Sequence, residues 1–273
     1  MDLLGLVSVI NINKRVEIDL GINLIDRRYL VLILGVIVVV AVVGTYFFWI
    51  NKPLKEEVVG GTYNVKLIIE GNDTRGFEYG YIVYTKGGVE HIGFYNSYLR
   101  NALDWIKTNT PENSTFLCWW DYGHMICGYA ERESIVKNPS KEALVSVADK
   151  YKPTIKELDP HEKILDVAHA LTTTNENVTK EIMEKYDANY ILLTTEDGGG
   201  KAPWIFHFAE LNYTNYYKPT PPFDSEGTIV FRSKDYTELG KQTMIFKLLT
   251  NTSMQFFNIV YSDENVKIFK LSN

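Results

Sequence analysis

The longest run of hydrophobic positions lies near the start of the chain. Residues 30–50 read LVLILGVIVVVAVVGTYFFWI and carry no charge. A helix needs about 20 apolar residues to cross a bilayer, whereas a buried soluble helix of this length normally keeps a polar stripe. The run is too long for the apolar part of a signal peptide, and no small-residue cleavage site follows it. The pattern therefore predicts a single retained transmembrane helix at 30–50.

The residues that flank this run indicate its orientation. Aromatic side chains, which prefer the headgroup level, stand at both ends, at Tyr29 and at 46–49. Basic residues are slightly denser before the run than after it, which favours a cytoplasmic location for the short segment 1–29. We therefore expect a single-pass protein of the cell membrane, with the lipid bilayer as a partner and an extracellular C-terminal part.

Five N-glycosylation acceptor patterns agree with this orientation, because all of them follow the predicted span. Their asparagines are Asn72, Asn113, Asn177, Asn212 and Asn251. Matches to so short a pattern arise readily by chance. They support an outside location, and the five asparagines are candidate glycosylation sites.

Beyond the span, the hydrophobic pattern changes twice. Residues 51–95 partly alternate β-branched and aromatic residues with polar ones, which predicts a β-rich, membrane-proximal strand pair or hairpin. From residue 96 the periods of helices and strands follow one another, which predicts a mixed globular domain over 96–273, between α/β and α+β in class. The predicted helices lie within 97–114, 141–151, 159–171, 175–187, 201–212 and 236–250, and the predicted strands within 115–120, 188–200 and 255–272, the last as a hairpin. Asp159 is the expected N-cap of its helix, before a first-turn proline.

The net charge limits the classes of binding partner, and the cysteine content limits the number of disulfides. The chain of 273 residues has a formal net charge of −6. Nucleic acids are bound through Lys/Arg patches, so no nucleic-acid partner is expected. The two cysteines, Cys118 and Cys127, could form one disulfide in an oxidising exterior or remain two small buried thiols, and the sequence leaves both alternatives open.

Residues 119–123, WWDYG, are the strongest candidate for chemistry, because they follow a predicted strand directly. Trp119 and Trp120 each offer one N–H donor and Asp121 offers acceptors, so together they can saturate a hydroxyl group, which both donates and accepts. Ligands are commonly bound at the carboxyl end of a strand. We interpret the three as candidate readers of a Ser or Thr hydroxyl, with Tyr122 and Gly123 forming a tight turn. Core packing of the two tryptophans is the alternative.

Residues 102–126, ALDWIKTNTPENSTFLCWWDYGHMI, resemble the soluble C-terminal domain of the catalytic subunit of oligosaccharyltransferase, particularly the archaeal form. That enzyme transfers a lipid-linked glycan to the Asn of Asn-x-Ser/Thr. The resemblance extends over roughly 96–273. It implies that Trp119, Trp120 and Asp121 bind the Ser/Thr hydroxyl of the acceptor, and Tyr122 and Gly123 are further candidate substrate-binding residues of the same motif.

The same resemblance implies a second binding element. In the family an Asp is followed by a Lys and, one helical turn later, by an Ile or Met that lines the same pocket. The stretch DGGGKAPWI offers Asp197, Lys201 and Ile205 for these positions, and the last two are four residues apart, on one helix face. The alternative is a glycine turn that opens an ordinary helix.

Two features of that family are missing from this sequence. Family members carry many further transmembrane helices and acidic loop residues that bind a divalent metal. We therefore expect no metal or other cofactor in this chain, and we expect the divalent metal only in a catalytic partner. The favoured interpretation is a membrane-anchored domain that recognises Asn-x-Ser/Thr peptide segments and acts in N-glycosylation with a separate multi-helix core. The alternatives are a non-catalytic cell-surface or scaffold protein that retains only the fold, and a fragment of a complete enzyme.

Overall fold

The computed structural model describes residues 33, 36–40, 55–219 and 230–272. The chain divides into two units, Met1–Lys52 and Pro53–Asn273. In the first unit, the described residues are helical and their apolar side chains are exposed. No helix in the described part of the chain is both long enough and apolar enough to span a membrane. The segment 1–29 and most of 30–50 lie outside the described residues, so the transmembrane helix stays a prediction.

The second unit begins with an antiparallel sheet of four strands in the order β1-β2-β3-β4. The strands are β1 (Lys55–Gly60), β2 (Val65–Asn72), β3 (Glu78–Lys86) and β4 (Val89–Asn96). Gly87 and Gly88 join the last two with φ angles of 61° and 79°, the left-handed values that a tight two-residue hairpin requires. The sequence predicts only a strand pair or hairpin here, but an isolated hairpin is marginally stable, and further strands let this segment bury an apolar face.

A second sheet is mixed, with its described strands in the order β6-β5-β7-β9-β8. They are β5 (Thr115–Leu117), β6 (Glu133–Ser134), β7 (Tyr190–Thr194), β8 (Phe257–Ser262) and β9 (Val266–Leu271). β5 runs parallel to β6 and β7, whereas β9 runs antiparallel to β7 and β8. All five residues of β7 are buried, as expected for a central strand covered on both faces. The mixed fold class and the closing hairpin are confirmed.

Helices pack around these sheets, and most lie where the sequence predicts them. They are α1 (Arg100–Asn109), α2 (Trp120–Gly128), α3 (His161–Thr172), α4 (Glu176–Lys185), α5 (Ala202–Phe208) and α6 (Met244–Leu249). The prediction for 141–151 is wrong, because only a short 3-10 turn forms there, at Ala143–Ser146. Leu144, Val147 and Tyr151 have helical spacing, but the backbone of Val147 is extended and ends the turn, and Val145 remains exposed.

The expected N-cap at Asp159 is also wrong. Pro160 occupies the N-cap position of α3. The Asp159 carboxylate instead accepts the backbone N–H groups of Lys137 and Asn138, at 2.5 and 2.7 Å. It therefore fastens the loop after β6 to the start of α3.

Helix α2 is packed so closely against its neighbours that glycine is required at two positions, one in the helix and one in β4. A Cβ at Gly93 of β4 would lie 2.1 Å from the Cβ of His124, and a Cβ at Gly123 would lie 2.1 Å from the carbonyl oxygen of Val136. The WWDYG stretch is therefore no tight turn: residues 120–123 form the first turn of α2, and Gly123 permits backbone contact there.

Replacement of Gly123 by alanine should destabilise the protein. The added methyl group meets the backbone of Val136 and Lys137, which cannot rotate away as a flexible side chain can. We expect the free energy of unfolding to fall by about 3 kcal/mol, measured by urea denaturation of the full chain in detergent. The control Asn101→Ala, at an exposed position of α1, should change it by less than about 0.5 kcal/mol. Equal stability of the two variants would contradict the close packing.

Candidate functional site

The WWD residues lie at the junction between a strand and a helix. β5 ends at Leu117, Trp119 is the N-cap of α2 with extended backbone angles, and the helix begins at Trp120. Asp121 stands in the first turn, where the helix dipole favours a carboxylate. The junction therefore places an indole and a carboxylate together at the carboxyl end of a parallel strand, as the sequence predicts.

A cavity of about 770 Å³ opens beside this junction. Its volume lies within the range of about 300–1,000 Å³ that is typical of ligand pockets. The first sheet and its β2–β3 turn form one wall, residues between 146 and 151 form a second, and the start of α2 forms a third together with residues after β7. Trp119, Trp120, Asp121, Tyr122 and Lys201 all line it. Five of the sequence-predicted site residues are therefore brought together.

Asp197 and Ile205 do not line the cavity. Both are fully buried, Asp197 beneath the site and Ile205 in the hydrophobic core. The α5 side chain that lines the cavity is the neighbouring Trp204, which is 38% exposed. The structure therefore brings Lys201 of the second predicted element to the cavity and gives Asp197 a supporting position.

Five alternating charges join the walls of the cavity, and we refer to them as the charge chain. Arg75 Nη2 contacts Asp73 Oδ2 at 2.9 Å and Glu196 Oε1 at 2.6 Å. Lys201 Nζ contacts Glu196 Oε2 at 3.3 Å and Asp121 Oδ2 at 2.6 Å. Each cation therefore lies between two carboxylates, and the chain ends at Asp121.

A hydrogen-bond network beneath the cavity fixes Tyr122. Its hydroxyl accepts from Lys201 Nζ at 2.7 Å, lies 2.8 Å from Thr194 Oγ1 and donates to Asp197 Oδ1 at 2.9 Å. Asp197 Oδ2 in turn accepts the Thr194 N–H at 2.8 Å. With Thr194 Oγ1 as a donor, the Tyr122 hydroxyl fills its one donor and two acceptor positions and has no capacity left for a ligand. Asp197 is fully buried beneath it and supports the site by accepting from Tyr122.

Burial and charge shift the acidities of these groups in different directions. Burial raises the pKa of Asp197 to about 6, and it also raises the pKa of Asp121, against the opposing charge of Lys201. Burial opposes the charged form of Lys201, but Asp121 and Glu196 hold its pKa well above the usual value. Burial likewise opposes the ionisation of Glu196, but Lys201 and Arg75 keep its pKa below the usual value. Glu196 and Lys201 are therefore charged at neutral pH.

Two polar atoms of the WWD residues have no hydrogen-bond partner in the described part of the chain. They are Trp120 Nε1, a donor, and Asp121 Oδ1, an acceptor, and both are shielded from solvent. A buried polar group without a partner costs about 1–3 kcal/mol. Trp120 and Asp121 therefore place an unused donor and an unused acceptor on adjacent residues, and Arg75 Nη1 and the Tyr95 hydroxyl, on two other lining residues, are also unpaired among the described residues.

The residues of this site that the sequence does not predict include Asp73, Arg75, Glu196 and Trp204. Glu196 has a signal in retrospect, because it stands beside Asp197 directly before a glycine run. Arg75 has no such signal, because it lies in a turn far before Asp121 in the sequence. Only the folded arrangement shows that the β2–β3 turn belongs to the site.

The possible bridge between Cys118 and Cys127 is not formed, and both cysteines are buried free thiols. Cys118 precedes α2, and its Sγ lies 3.2 Å from Ser134 Oγ. Cys127 follows in the third turn of α2, roughly 10 Å further along the helix axis, which exceeds the reach of a disulfide. Burial raises the pKa of the Cys127 thiol to about 12.

The remaining candidate residues are found at the surface. All five candidate glycosylation asparagines are exposed: Asn72, Asn113, Asn177, Asn212 and Asn251. Asn177 lies in α4, where the hydroxyl of Thr179 is buried and donates to the Ala170 carbonyl. No group of three or more His, Cys, Asp or Glu residues within the described ranges is arranged to hold a metal ion.

Comparison with known proteins identifies relatives of one kind, although no family model matches the chain. The chain is 30% identical over 135 residues to a dolichyl-diphosphooligosaccharide–protein glycosyltransferase subunit of Caenorhabditis elegans, covering 47% of this chain and 15% of the relative. It is 29% identical over 149 residues to the dolichyl-phosphooligosaccharide-protein glycotransferase of Methanocaldococcus jannaschii, covering 54% and 13%. The corresponding subunit of Schizosaccharomyces pombe is 22% identical over 171 residues, covering 58% and 19%. These relatives confirm the resemblance, and the chain spans a fifth of their length or less.

A solved structure of the same kind is also similar. It is the crystal structure of the C-terminal globular domain of oligosaccharyltransferase from Archaeoglobus fulgidus, with 21% identity and a TM-score of 0.41, over 63% of this chain and 96% of that one. This likeness is too distant to support a conclusion about the present chain.

The stability of the protein should depend on pH through Asp197. Its pKa of about 6 exceeds the ordinary value of 3.8, so between these values the native state binds more protons than the unfolded state. Stability from this group is therefore present at low pH and is lost as pH rises through about 6. Relative to the Asp197→Asn variant, the free energy of unfolding should fall by about 2 kcal/mol between pH 4 and pH 7, measured by urea denaturation. Parallel pH profiles of the two proteins would contradict the assignment.

Proposed function

We propose that this chain recognises the acceptor peptide of N-glycosylation by binding the hydroxyl group of Asn-x-Ser/Thr. One observation carries the proposal: Trp120 Nε1 and Asp121 Oδ1 are an unpaired buried donor and acceptor on adjacent residues that line a large cavity. A hydroxyl is the smallest group that serves both at once, because it accepts from the indole and donates to the carboxylate.

Such a site distinguishes peptides with a hydroxyl from those without one, because a ligand without a hydroxyl leaves the buried donor and acceptor unpaired. Valine has the shape of threonine but no hydroxyl, so it would occupy the cavity without satisfying Trp120 or Asp121. Sites built to hydrogen-bond a hydroxyl reject analogues without it much more strongly than apolar pockets reject a missing methyl group. The proposal therefore accounts for a requirement for Ser or Thr.

Access to the two atoms requires a small rearrangement of their neighbours, because both are shielded from solvent. The ring of Phe94 lies 6.0 Å from that of Trp120 and 5.6 Å from that of Tyr151, and all three residues line the cavity. In the proposed function, peptide binding displaces part of this aromatic cover. Changes of side-chain rotamer of this kind are common when interfaces form.

The wider role of the chain follows from its relatives and its N-terminal pattern. The relatives are named as glycosyltransferase subunits, and this chain spans a fifth of their length or less. We propose that residues 30–50 anchor it in the cell membrane with residues 51–273 outside, and that a separate multi-helix core performs the transfer. That core would contribute the divalent metal that the resemblance implies.

The burial of the tryptophans favours a second candidate function, a scaffold protein that keeps only the fold. Trp119 is 2% exposed and Trp120 is 6% exposed, values typical of core residues. In that case Trp120→Ala would lower the free energy of unfolding by about 3–5 kcal/mol without any effect on peptide binding. The location of the two unpaired atoms, on adjacent residues that line the cavity, favours recognition.

The indole N–H of Trp120 should report the bound hydroxyl directly. The chain has five tryptophans, so each indole resonance can be assigned in a ¹H–¹⁵N spectrum of the full chain in detergent from a single Trp→Phe variant. With millimolar Asn-x-Thr peptide, the Trp120 resonance should shift with saturation. The Asn-x-Val peptide should produce little or no shift, because the valine side chain offers no acceptor.

Binding should also weaken when the donor is removed and a smaller aromatic ring is kept. We expect Trp120→Phe to reduce affinity for the Thr peptide by about 10- to 100-fold while affinity for the Val peptide stays the same. Trp105→Phe is the matched control, because Trp105 packs on Tyr261 and does not line the cavity. Equal shifts with both peptides, or no shift with either, would contradict recognition by this chain.

A further inference from the structure

The β2–β3 turn forms part of the cavity wall through Asp73 and Arg75. Hydrogen bonds within the turn make it rigid. Asp73 Oδ1 accepts the backbone N–H groups of Arg75 and Phe77, at 2.9 and 3.0 Å. The Asp73 N–H donates to the Phe77 carbonyl at 2.8 Å. These bonds fix the backbone from which the Arg75 side chain extends.

Two of the three nitrogens of the Arg75 guanidinium group are held by carboxylates, whereas Nη1 is buried and has no hydrogen-bond partner in the described part of the chain. The guanidinium group lies 5.3 Å from the ring centroid of Phe77 and 5.0 Å from that of Tyr98. Its Nε and Nη2 donate to Asp73 Oδ2 at 3.2 and 2.9 Å, and Nη2 also donates to Glu196 Oε1 at 2.6 Å. A planar guanidinium with these partners is a fixed charge. It therefore sets the position of one oxygen of Glu196.

Glu196 divides its charge between two cations. Oε1 faces Arg75, and Oε2 lies 3.3 Å from Lys201 Nζ, which is longer than the 2.6 Å between Lys201 and Asp121 Oδ2. Lys201 therefore lies closer to Asp121 than to Glu196. Without Arg75, the whole charge of Glu196 would attract Lys201 in a site of low dielectric, and Lys201 would move away from Asp121.

The orientation of Asp121 depends on this balance. Lys201 holds Oδ2, which leaves Oδ1 as the unpaired acceptor. If Lys201 moved to Glu196, the Asp121 carboxylate would be free to rotate, and its burial would favour protonation. A protonated or rotated carboxyl group would no longer accept the ligand hydroxyl from a fixed position.

We propose that Arg75 and Glu196 are positioning residues for hydroxyl recognition: they keep Lys201 against Asp121 and thereby fix the acceptor oxygen. This inference rests on the proposed function of the WWD residues. It assigns the β2–β3 turn, outside the stretch that resembles oligosaccharyltransferase, a part in choosing the peptide.

A double-mutant cycle on these two residues tests the inference. Arg75→Met keeps the length of the side chain and removes its charge. We expect the full chain carrying it to bind the Asn-x-Thr peptide about tenfold more weakly while its affinity for the Asn-x-Val peptide is unchanged. Adding Glu196→Gln should restore most of the lost affinity, because Asp121 is then the one carboxylate in the charge chain that still contacts Lys201. A purely structural role for Arg75 predicts no such rescue.

Matched variants keep the result interpretable. Arg100→Met removes another half-buried arginine, which pairs with Glu57 at 2.7 Å and does not line the cavity, and it should leave both affinities unchanged. If Arg75→Met does not fold, Glu196→Asp provides the same test. It keeps the charge but is one methylene too short to reach both cations, so it should also reduce the preference for the Thr peptide.

The outcomes separate this inference from the function on which it rests. If the unaltered chain binds both peptides equally, both fail. If the unaltered chain prefers the Thr peptide and the Arg75→Met or Glu196→Asp variant keeps that preference in full, only the positioning role fails. An equal loss of affinity for both peptides, without rescue in the double variant, would also overturn it.

Discussion

The charge chain from Asp73 through Arg75, Glu196 and Lys201 to Asp121 is the constraint on which the site depends. Removing water from charges costs several kcal/mol per ion, and opposite partners in good geometry offset that cost. Because each cation lies between two carboxylates, the loss of any one member changes how its neighbours share their partly buried charges. The chain therefore joins the β2–β3 turn of the first sheet to the start of α2 and to the residues after β7, and it fixes which oxygen of Asp121 remains unpaired.

Packing and recognition are not competing roles for the WWD residues. The indole of Trp120 is buried among aromatic neighbours, and α2 is close enough to Val136 to require glycine at 123. Such close packing restricts the rotamers of the side chains at the start of the helix. The same contacts that make these residues part of the core hold the indole N–H and the Asp121 carboxylate in fixed positions, and a fixed donor and acceptor discriminate better than mobile ones.

Local sequence patterns predict the parts of this structure that depend on neighbours in the chain. The buried run before WWDYG predicts β5, the alternation near the C-terminus predicts the β8–β9 hairpin, and the position of Lys201 after its glycine run places it directly before α5, as the N-cap, at the cavity. Long-range contacts decide the rest. The pairing of Arg75 with Glu196 joins residues 121 positions apart, which no periodicity reveals. Residues 204 and 205 are adjacent on the short helix α5. The orientation of that helix about its axis therefore determines which of the two lines the cavity, and in the structure it is Trp204, whereas Ile205 is buried.

The most direct test of this account is a structure of the full chain with a bound Asn-x-Thr peptide. The account predicts that the threonine hydroxyl lies within about 3 Å of both Trp120 Nε1 and Asp121 Oδ1, with Lys201 still against Asp121 Oδ2. A peptide bound elsewhere, or a threonine hydroxyl in the cavity that contacts neither atom, would contradict it.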